Sequence, residues 1–394
     1  MRIAFGIVSL FPGGGLQRDC LAIAELVRNR GQVVDIYACR SQDLGDTPIT
    51  LLPNDCYANH AIQYGFAREF LAAAAGKYDL VVGFDKLLDL DVLYCADPSV
   101  RYRARRQPYL YALSRYRTYA ALERSSFGPG SRTRILVLGR EQRHEYLAAW
   151  DTDPERVQLL PPTVTATRHQ PEYRSQDARR KMRAALGCGE RDWVLMSVCV
   201  QPHTKGLDRV IRALPQVSGA RLLVAGLSED DLHAASALRL ARRMGVSERI
   251  HWLGHREDIP QIMAAADLLV HPARYDTTGT VILEAIVNGL PVISSAACGY
   301  AEHVDLAGAG IVLEEPFDPR KLVAALAAAR DPARHAAWTA AAAAYGGVDL
   351  AVRGAYPCRR HDRRRSRGRF GHARREALPR LPIGLSWNRP PSRW

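Results

Sequence analysis

Short runs of apolar, often β-branched residues alternate with longer segments of helical periodicity through most of the chain. Arg2–Val8 is an apolar run that predicts a first strand. Leu16–Arg30 follows it, with apolar residues at the spacing of one helical face. Further elements are predicted as strands at Val33–Cys39, Tyr78–Phe84, Val92–Cys95 and Arg134–Leu138 and as a helix at Asn59–Ala75. This alternation favours a parallel sheet with helices on both faces.

The same alternation resumes after Pro161 and Pro162, which mark a boundary between two domains. Strands are predicted at Trp193–Val198, Ala220–Ala225, Ile250–Leu253, Leu268–His271, Val292–Ser294 and Ile311–Leu313, and helices at Ser175–Leu186, Gly206–Leu214, Asp230–Met244, Ile259–Ala266 and Gly279–Asn288. The pattern therefore predicts an α/β protein with two Rossmann-like, doubly wound domains, 1–162 and 163–345, that face a central cleft. Ligands of such sheets bind outside the carboxyl ends of the strands.

Positive charge is concentrated at the end of the chain. The formal net charge is +13, and residues 345–394 contain 13 Arg and only three acids. The first 344 residues therefore carry a net charge of only +3. The Arg- and Pro-rich tail, 346–394, has no apolar periodicity, and we expect it to be disordered. A frame-shifted reading of a GC-rich gene is the favoured account, and a nucleic-acid-binding extension is the competing one.

The composition also bears on location and on metals. No apolar run reaches the about 18 residues of a membrane span, and the N-terminus lacks the order of a signal peptide. We therefore expect a cytoplasmic protein. The eight cysteines form no C-x-x-C pair and no cluster with His at zinc-ligand spacing. They are interpreted as small buried side chains, and no metal is expected.

Three loops carry candidate chemistry, and the first is rich in glycine. Gly13, Gly14 and Gly15 lie between the first strand and the first helix, where backbone N–H groups can approach an anion. The run matches neither the dinucleotide fingerprint nor the P-loop pattern. We favour approach of Gly14 and Gly15 to a phosphate or sugar, and a plain tight turn is the alternative.

The second loop contains Lys205, which follows the predicted strand Trp193–Val198 and opens a predicted helix. A cation is unfavourable at the positive end of a helix unless an anion is bound there. The chain has 49 Arg and only five Lys, so a lysine at this position suggests a need for a compact ammonium group. A solvated surface charge is the alternative.

The third loop runs from Asp276 to Glu284. Gly279 and Thr280 would open a helix with free N–H groups, which suits a phosphate. Glu284 falls within the first turns of that helix, where a carboxylate can accept hydrogen bonds from two vicinal ribose hydroxyls. Asp276 precedes the helix and is positioned to hold a sugar hydroxyl. A capping carboxylate and a surface Glu are the alternative.

A basic segment, Arg101–Gly130, contains seven Arg, five Tyr and one acid. A basic amphipathic segment with aromatic residues is typical of the surface of an anionic leaflet. The residues expected to contact lipid are Arg103, Arg105, Arg106, Tyr109, Tyr111, Arg115 and Arg117. An Arg-decorated helix that covers the sheet is the alternative.

Together these loops resemble the retaining glycosyltransferases of family 4, which have the GT-B fold. The resemblance covers about residues 1–345. It is carried by Gly14–Asp19, Val81–Phe84, Ser114–Arg117, Tyr119–Ala121, Leu160–Pro162, Lys205–Gly206, Ala264–Leu268, Leu283–Ile286 and Cys298–Ala301. It implies metal-independent, retaining transfer of a hexose, glucose from UDP-glucose, onto the inner-core heptose of lipopolysaccharide. The expected place is the inner face of the inner membrane, with the first domain on the acceptor and membrane side and the second binding the nucleotide sugar.

The resemblance also implies a role for individual residues. Lys205 and Arg168 would contact the nucleotide diphosphate, with Gly15 close by, and Glu284 would bind the ribose. Asp19 and Asp97 fall on the acceptor side. The full set of expected catalytic residues is Lys205, Asp276 and Asp97. The donor-binding set is Gly14, Gly15, Arg168, Lys205, Gly279, Thr280 and Glu284.

Two positions depart from the family pattern. Thr204 precedes the lysine where the family usually has Arg or Ser, which removes one cation from the diphosphate site. Asp276 stands where the first acid is usually Glu, one methylene longer. We expect both to affect sugar choice and rate. Two alternatives remain open: a transferase homologue with impaired activity, and a basic nucleic-acid-binding protein, although the latter leaves Lys205, Asp276 and Glu284 unexplained and nucleic acid is not an expected partner.

Overall fold

Two parallel sheets, one after the other along the chain, organise this computed structural model, which describes residues 1–11, 14–42 and 47–346. Within those residues the first sheet has seven strands and the second has six. The prediction of two doubly wound α/β domains is confirmed. The predicted boundary at 162/163 falls between the last strand of the first sheet and the first strand of the second, and it stays a prediction.

The first half of the chain places a helix after most of its strands. Its elements are β1 (Arg2–Leu10), α1 (Gly15–Arg28), β2 (Val33–Ser41), β3 (Ile49–Leu51), α2 (Asn59–Ala74), β4 (Leu80–Gly83), β5 (Val92–Cys95), α3 (Val100–Arg106), α4 (Ser114–Phe127), β6 (Arg134–Val137), α5 (Arg140–Trp150) and β7 (Val157–Leu159). The strand order is β3-β2-β1-β4-β5-β6-β7, and all neighbours are parallel. The order reverses between β1 and β4, which creates a crevice at their carboxyl ends.

The second half repeats this plan. Its elements are α6 (Gln176–Ala185), β8 (Trp193–Val198), α7 (Leu207–Ala213), β9 (Ala220–Ala225), α8 (Ala235–Arg243), β10 (Ile250–Trp252), α9 (Ile259–Ala265), β11 (Leu268–His271), α10 (Thr280–Val287), β12 (Val292–Ser295), α11 (Glu302–Ala307), β13 (Gly310–Leu313), α12 (Pro319–Ala329) and α13 (Pro332–Gly346). The strand order β10-β9-β8-β11-β12-β13 is that of a dinucleotide-binding sheet, with its switch point between β8 and β11.

Each sheet is covered on both faces, which explains why its strands are nearly continuous apolar runs. In the first half, Phe66 and Phe70 of α2 pack in one buried layer, and Phe5 and Ile7 of β1 belong to another. In the second half, two further layers flank β8 in the same way. The carboxyl ends of the strands remain the natural place for polar chemistry.

The last described helix, α13, packs against the second half. Ala342 is fully buried, and the Tyr345 hydroxyl lies 2.6 Å from Nδ1 of His303. The predictions of disorder and of a frame shift concern 346–394, of which only Gly346 lies within the described residues. Among the described residues, no helix is long and apolar enough to cross a membrane.

Two predicted boundaries need correction. The helix predicted at Asp230–Met244 begins only at Ala235, because the Asp231 carboxylate accepts hydrogen bonds from the backbone N–H and the hydroxyl of Ser228 and forms a local turn instead. The first helix ends at Arg28, and Gly31, with φ of 78°, closes the turn after it.

Candidate active site

The loop after β8 holds Lys205 in a fixed position. Gly206 follows with φ of 74°, and a Cβ there would lie 2.0 Å from the Pro272 carbonyl oxygen, so only glycine fits. Arg274 fastens the same loop, because its backbone N–H donates to the Thr204 carbonyl at 2.8 Å. The Arg274 guanidinium also forms two hydrogen bonds, of 2.7 and 2.8 Å, with the Asp208 carboxylate. Sequence reasoning missed this bidentate clamp, which lies across the switch point of the sheet.

Lys205 contacts the second candidate loop directly. Its Nζ lies 2.7 Å from Oδ2 of Asp276. The same oxygen is 2.8 Å from Nε2 of His271, which is buried at the end of β11. Burial acts to raise the pKa of Asp276, but the hydrogen bond from His271 and the charge of Lys205 together hold it well below its usual range. The carboxylate therefore stays ionised, and it links two loops that the sequence predicted separately.

The start of α10 is shaped by the loop that contains Asp276. Gly279 caps the helix with φ of 69°, and a Cβ there would lie 3.0 Å from Ile282 and 3.3 Å from Cys298. The backbone of Asp276 pairs with the Ala297–Gly299 segment through hydrogen bonds of 3.2 and 2.9 Å. The N-terminus of α10, with Thr280 in its first turn, is thus held at the carboxyl edge of the second sheet.

Glu284 brings together side chains from both halves of the chain. It is only 7% exposed. Its Oε1 lies 4.0 Å from the guanidinium of Arg18 on α1. Burial raises the pKa of Glu284, while the charges of Arg168 and Arg18 act in the opposite direction. Asn288, one turn further along α10, donates to the Arg168 carbonyl at 2.6 Å and so holds that arginine near Glu284.

The described part of the glycine-rich loop lies at the start of α1. A Cβ on Gly14 would lie 1.9 Å from Oε1 of Gln17, whereas a Cβ on Gly15 would have no neighbour within 4 Å. Open space beside Gly15 leaves room for a ligand to approach the backbone. Sequence reasoning did not single out Arg18, although it is three residues from Gly15 and therefore on the same first turn.

The acceptor-side candidates occupy different environments. Asp19 accepts a hydrogen bond of 2.8 Å from the Tyr94 hydroxyl, and burial raises its pKa. Asp97 is exposed, but its backbone carbonyl accepts from the Gln142 amide at 2.9 Å and the Tyr146 hydroxyl at 3.1 Å. The loop after β5 is therefore fixed through its backbone, and the carboxylate of Asp97 faces solvent.

The basic segment folds as two helices, α3 and α4, over a buried ion pair. Glu123 of α4 is fully buried, and its carboxylate accepts from Lys86 at 3.0 Å and from the Trp150 indole at 2.9 Å. It also accepts from the backbone N–H groups of Val100 and Arg101, at the start of α3. The described side chains of the expected lipid-contacting set are exposed: Arg103, Arg105, Tyr109, Tyr111, Arg115 and Arg117. The side chain of Arg106 lies outside the described part of the chain.

In the part of the chain that the structure describes, no three His, Cys, Asp or Glu side chains are grouped so that they could hold a metal ion. Metal independence stays a prediction. Of the predicted site residues, Lys205 and Asp276 are in contact, and Arg168 and Glu284 are neighbours, whereas Asp19 and Asp97 belong to the first half.

Two Rossmann-like sheets, with a charged site at the carboxyl ends of the second, define the GT-B class of glycosyltransferases. The family model described as "Glycosyl transferases group 1" matches residues 178–343. Lipopolysaccharide glucosyltransferase WaaG of Escherichia coli (strain K12) is 37% identical over 336 residues, which cover 82% of this chain and 87% of that protein. The chain therefore belongs to the glycosyl transferases group 1 family.

Solved structures agree with this assignment. The crystal structure of WaaG, a glycosyltransferase involved in lipopolysaccharide biosynthesis, superposes with a TM-score of 0.81 at 34% identity and covers 88% of this chain and 96% of that one. Anabaena Alr3699/HepE in complex with UDP-glucose has a TM-score of 0.68 at 20% identity, over 88% of this chain and 94% of that one. The second likeness shows the fold alone.

Proposed function

We propose that the protein transfers glucose from UDP-glucose onto the inner-core heptose of lipopolysaccharide. The observation that carries the proposal is the 37% identity to lipopolysaccharide glucosyltransferase WaaG, because it runs over 336 residues and so includes both sheets. The contact of Lys205 with Asp276, together with the buried Glu284 beside Arg18 and Arg168, adds a site suited to an anionic, hydroxyl-rich donor.

In this proposal the second half binds the donor. Lys205 and Arg168 stabilise the diphosphate, and the N–H groups at Gly279 and Thr280 add the positive end of α10. Glu284 accepts hydrogen bonds from the ribose hydroxyls. Asp276, held by His271 and Lys205, receives a hydroxyl of the hexose. Gly14 and Gly15 let the backbone of the first half approach the same diphosphate.

The reaction exchanges one bond at the anomeric carbon. The acceptor oxygen forms a bond to that carbon, the bond to the diphosphate oxygen breaks, and the hydroxyl proton leaves with the diphosphate. We propose attack on the face from which the diphosphate departs, which retains configuration. Negative charge develops on the leaving group, and the fixed cations stabilise it without a metal.

The proposed metal independence has a direct test. Transfer measured after dialysis against EDTA should equal transfer in added Mg²⁺. The control is a glycosyltransferase that requires a divalent metal, treated in the same way. A strict Mg²⁺ requirement would overturn this part of the mechanism.

The first half serves the acceptor and the membrane. Asp19 and Asp97 lie on the acceptor side, and the exposed arginines and tyrosines of α3, α4 and the turn between them contact anionic lipid. This arrangement brings the enzyme to a lipid-held acceptor, as a peripheral protein on the cytoplasmic face of the inner membrane.

The donor assignment is tested by thermal shift. A ligand that binds the native state raises the melting temperature by mass action. UDP-glucose is expected to raise it more than UDP-galactose or GDP-mannose at equal concentration, and labelled glucose should then appear in core lipopolysaccharide that lacks this hexose. A larger shift with another nucleotide sugar, or no labelled product, would contradict the proposal.

A further inference from the structure

Two arginines that point in opposite directions hold the loop after β8, with the start of α7, against the loop after β11. Arg274, in the loop after β11, donates from its guanidinium to the His203 carbonyl at 2.7 Å and to both carboxylate oxygens of Asp208. Arg209, on α7, donates in return to the Pro272 carbonyl at 3.0 Å. These two arginines with their contacts are called the arginine clasp below.

Both arginines of the clasp are themselves fixed by further contacts. The guanidinium carbon of Arg209 lies 3.8 Å from the ring centroid of Phe317, which orients the guanidinium plane. Burial acts to raise the pKa of Asp208, but the hydrogen bond and the charge of Arg274 hold it below its usual range. Arg274 therefore keeps an ionised partner, and its planar fork fixes the orientation of the pair more strictly than a lysine could.

The contact between Lys205 and Asp276 lies in the two loops that the clasp joins. Asp has a short side chain, so the 2.7 Å contact of its carboxylate with the Lys205 Nζ depends on how closely the backbones of the two loops lie. They lie so close that the Pro272 carbonyl oxygen leaves no room for a Cβ at Gly206. The Lys205 side chain remains 28% exposed, so its ammonium group is accessible to an anion.

We propose that the arginine clasp positions the donor-binding lysine: Arg274 and Arg209 set the spacing of the two loops and so hold Lys205 where it meets the diphosphate. The proposal rests on the proposed function and deepens it. Both arginines act through Lys205 as positioning residues, and they take no part in bond breaking. Without the clasp, the loop of Lys205 would have to be ordered when the donor binds, and that cost would be subtracted from the affinity.

A double-mutant cycle on UDP binding tests the proposal, because UDP carries the diphosphate and needs no acceptor. In the full-length protein, Arg274→Ala should raise the Kd for UDP, measured by calorimetry, about tenfold, as the loss of a hydrogen bond to a charged group does. In a Lys205→Ala background the same substitution should change the Kd by less than about twofold, because residues that act as a unit have non-additive effects. An equal factor in both backgrounds would overturn the proposal, since Arg274 would then act without Lys205.

Arg221→Ala is the matched control. Arg221 pairs with Asp192 at 2.6 Å and is about as exposed as Arg274, but it lies at the amino end of β9, on the opposite edge of the same sheet. This variant should leave the Kd for UDP unchanged in both backgrounds. A rise as large as that of Arg274→Ala would show that the loss of any such ion pair weakens UDP binding, and the clasp would then have no specific role.

A conservative variant keeps the test decisive if Arg274→Ala does not fold. Arg274→Lys retains the charge and removes the planar fork that bonds Asp208 through two nitrogens. It should still raise the Kd for UDP, and the rise should again disappear in the Lys205→Ala background. A folded Arg274→Lys protein with the Kd of the wild type would overturn the proposal, because Arg274 would then act by charge alone.

Failure of this proposal and failure of the proposed function give different results. If Lys205→Ala alone leaves the Kd for UDP at the value of the wild type, the proposed donor site is wrong, whatever the Arg274 variants do. If Lys205→Ala weakens UDP binding and the Arg274 variants do not, the donor site stands and the positioning role is wrong.

Discussion

The carboxyl edges of the two sheets differ in how completely their charged groups are paired. At the second sheet, Lys205 and His271 both contact one carboxylate oxygen of Asp276. Arg274 holds the neighbouring loop through two hydrogen bonds with Asp208. At the first sheet, Asp97 is exposed and a pocket beside Asp85 is open to solvent. The second edge is organised before a ligand arrives, as charge stabilisation in a transition state requires. The first edge is open, as the proposed binding of an acceptor that is held at a membrane requires.

The largest expected effect concerns the outer surface of the first half. The variant is made in a chain that ends at Tyr345, and Gln replaces five arginines: Arg103, Arg105, Arg106, Arg115 and Arg117. These substitutions should reduce partition into anionic vesicles more than a thousandfold, because each basic residue contributes about 1 kcal/mol at the surface. Vesicle co-sedimentation measures it. The control variant replaces three exposed arginines of α8 by Gln: Arg239, Arg242 and Arg243.

Truncation at Tyr345 separates this segment from the tail. The tail carries 13 Arg and can bind anionic lipid without specificity. If the full chain binds vesicles and the truncated chain ignores them, the tail is the anchor, and α3 and α4 only cover the sheet.

The next effect concerns the paired edge. Lys205→Ala should lower kcat by roughly 10²–10³-fold, as the loss of one group that stabilises transition-state charge does. The substitution removes the cation expected on the diphosphate and also a partner of Asp276. Lys321→Ala, which removes an exposed lysine 2.8 Å from Glu314, is the control and should leave kcat unchanged. Full transfer by the Lys205 variant would show that Lys205 does not belong to the donor site.

A smaller and different effect is expected at Glu284. Glu284→Ala should weaken UDP binding and lower kcat/KM by a similar factor, roughly tenfold, because a ribose contact acts in the ground state and the transition state alike. Calorimetry and steady-state kinetics measure the two quantities. Glu302→Ala, whose exposed carboxylate pairs with Arg140, is the control. A loss confined to kcat would place Glu284 at the reacting centre instead of the ribose.

Much of the fold followed from the sequence because its strands are buried on both faces. Trp193–Val198, Ala220–Ala225 and Leu268–His271 were predicted with the bounds that the structure shows. The edge strands β3 and β7 were missed, whereas β10, an edge strand of the same length, was predicted. An apolar run of three residues is therefore not a dependable signal of a strand.

The loops of the site were found individually, but their contacts were not. Lys205 and Asp276 meet only because β8 and β11 are neighbours in the sheet, an order that local periodicity does not encode. The same holds for Arg274, which clamps a loop about 70 residues away. Asp85 and His271 each lie at or just after the end of a predicted strand, so the rule for carboxyl edges could have identified both.

The smallest expected effect tests whether the open edge is retained at a cost to stability. Burial raises the pKa of Asp85 to about 7 in the folded protein, above the ordinary value of about 3.9 for Asp. A group with a raised pKa favours folding at low pH, and that contribution is lost as the pH rises from about 4 to about 7. Asp85→Asn keeps an acceptor for the Val8 N–H, which donates to the Asp85 carboxyl group at 2.6 Å, and cannot ionise. It should therefore raise the free energy of unfolding by roughly 1–3 kcal/mol at pH 8 and by little at pH 4, as measured by urea denaturation. Asp91→Asn, at an exposed carboxylate that accepts from the Val81 N–H in the same sheet, is the control variant against which the change is compared. An equal change for Asp85→Asn at both pH values would mean that its carboxyl group carries no burial cost, and the contrast between the paired and the open edge would lose its energetic basis.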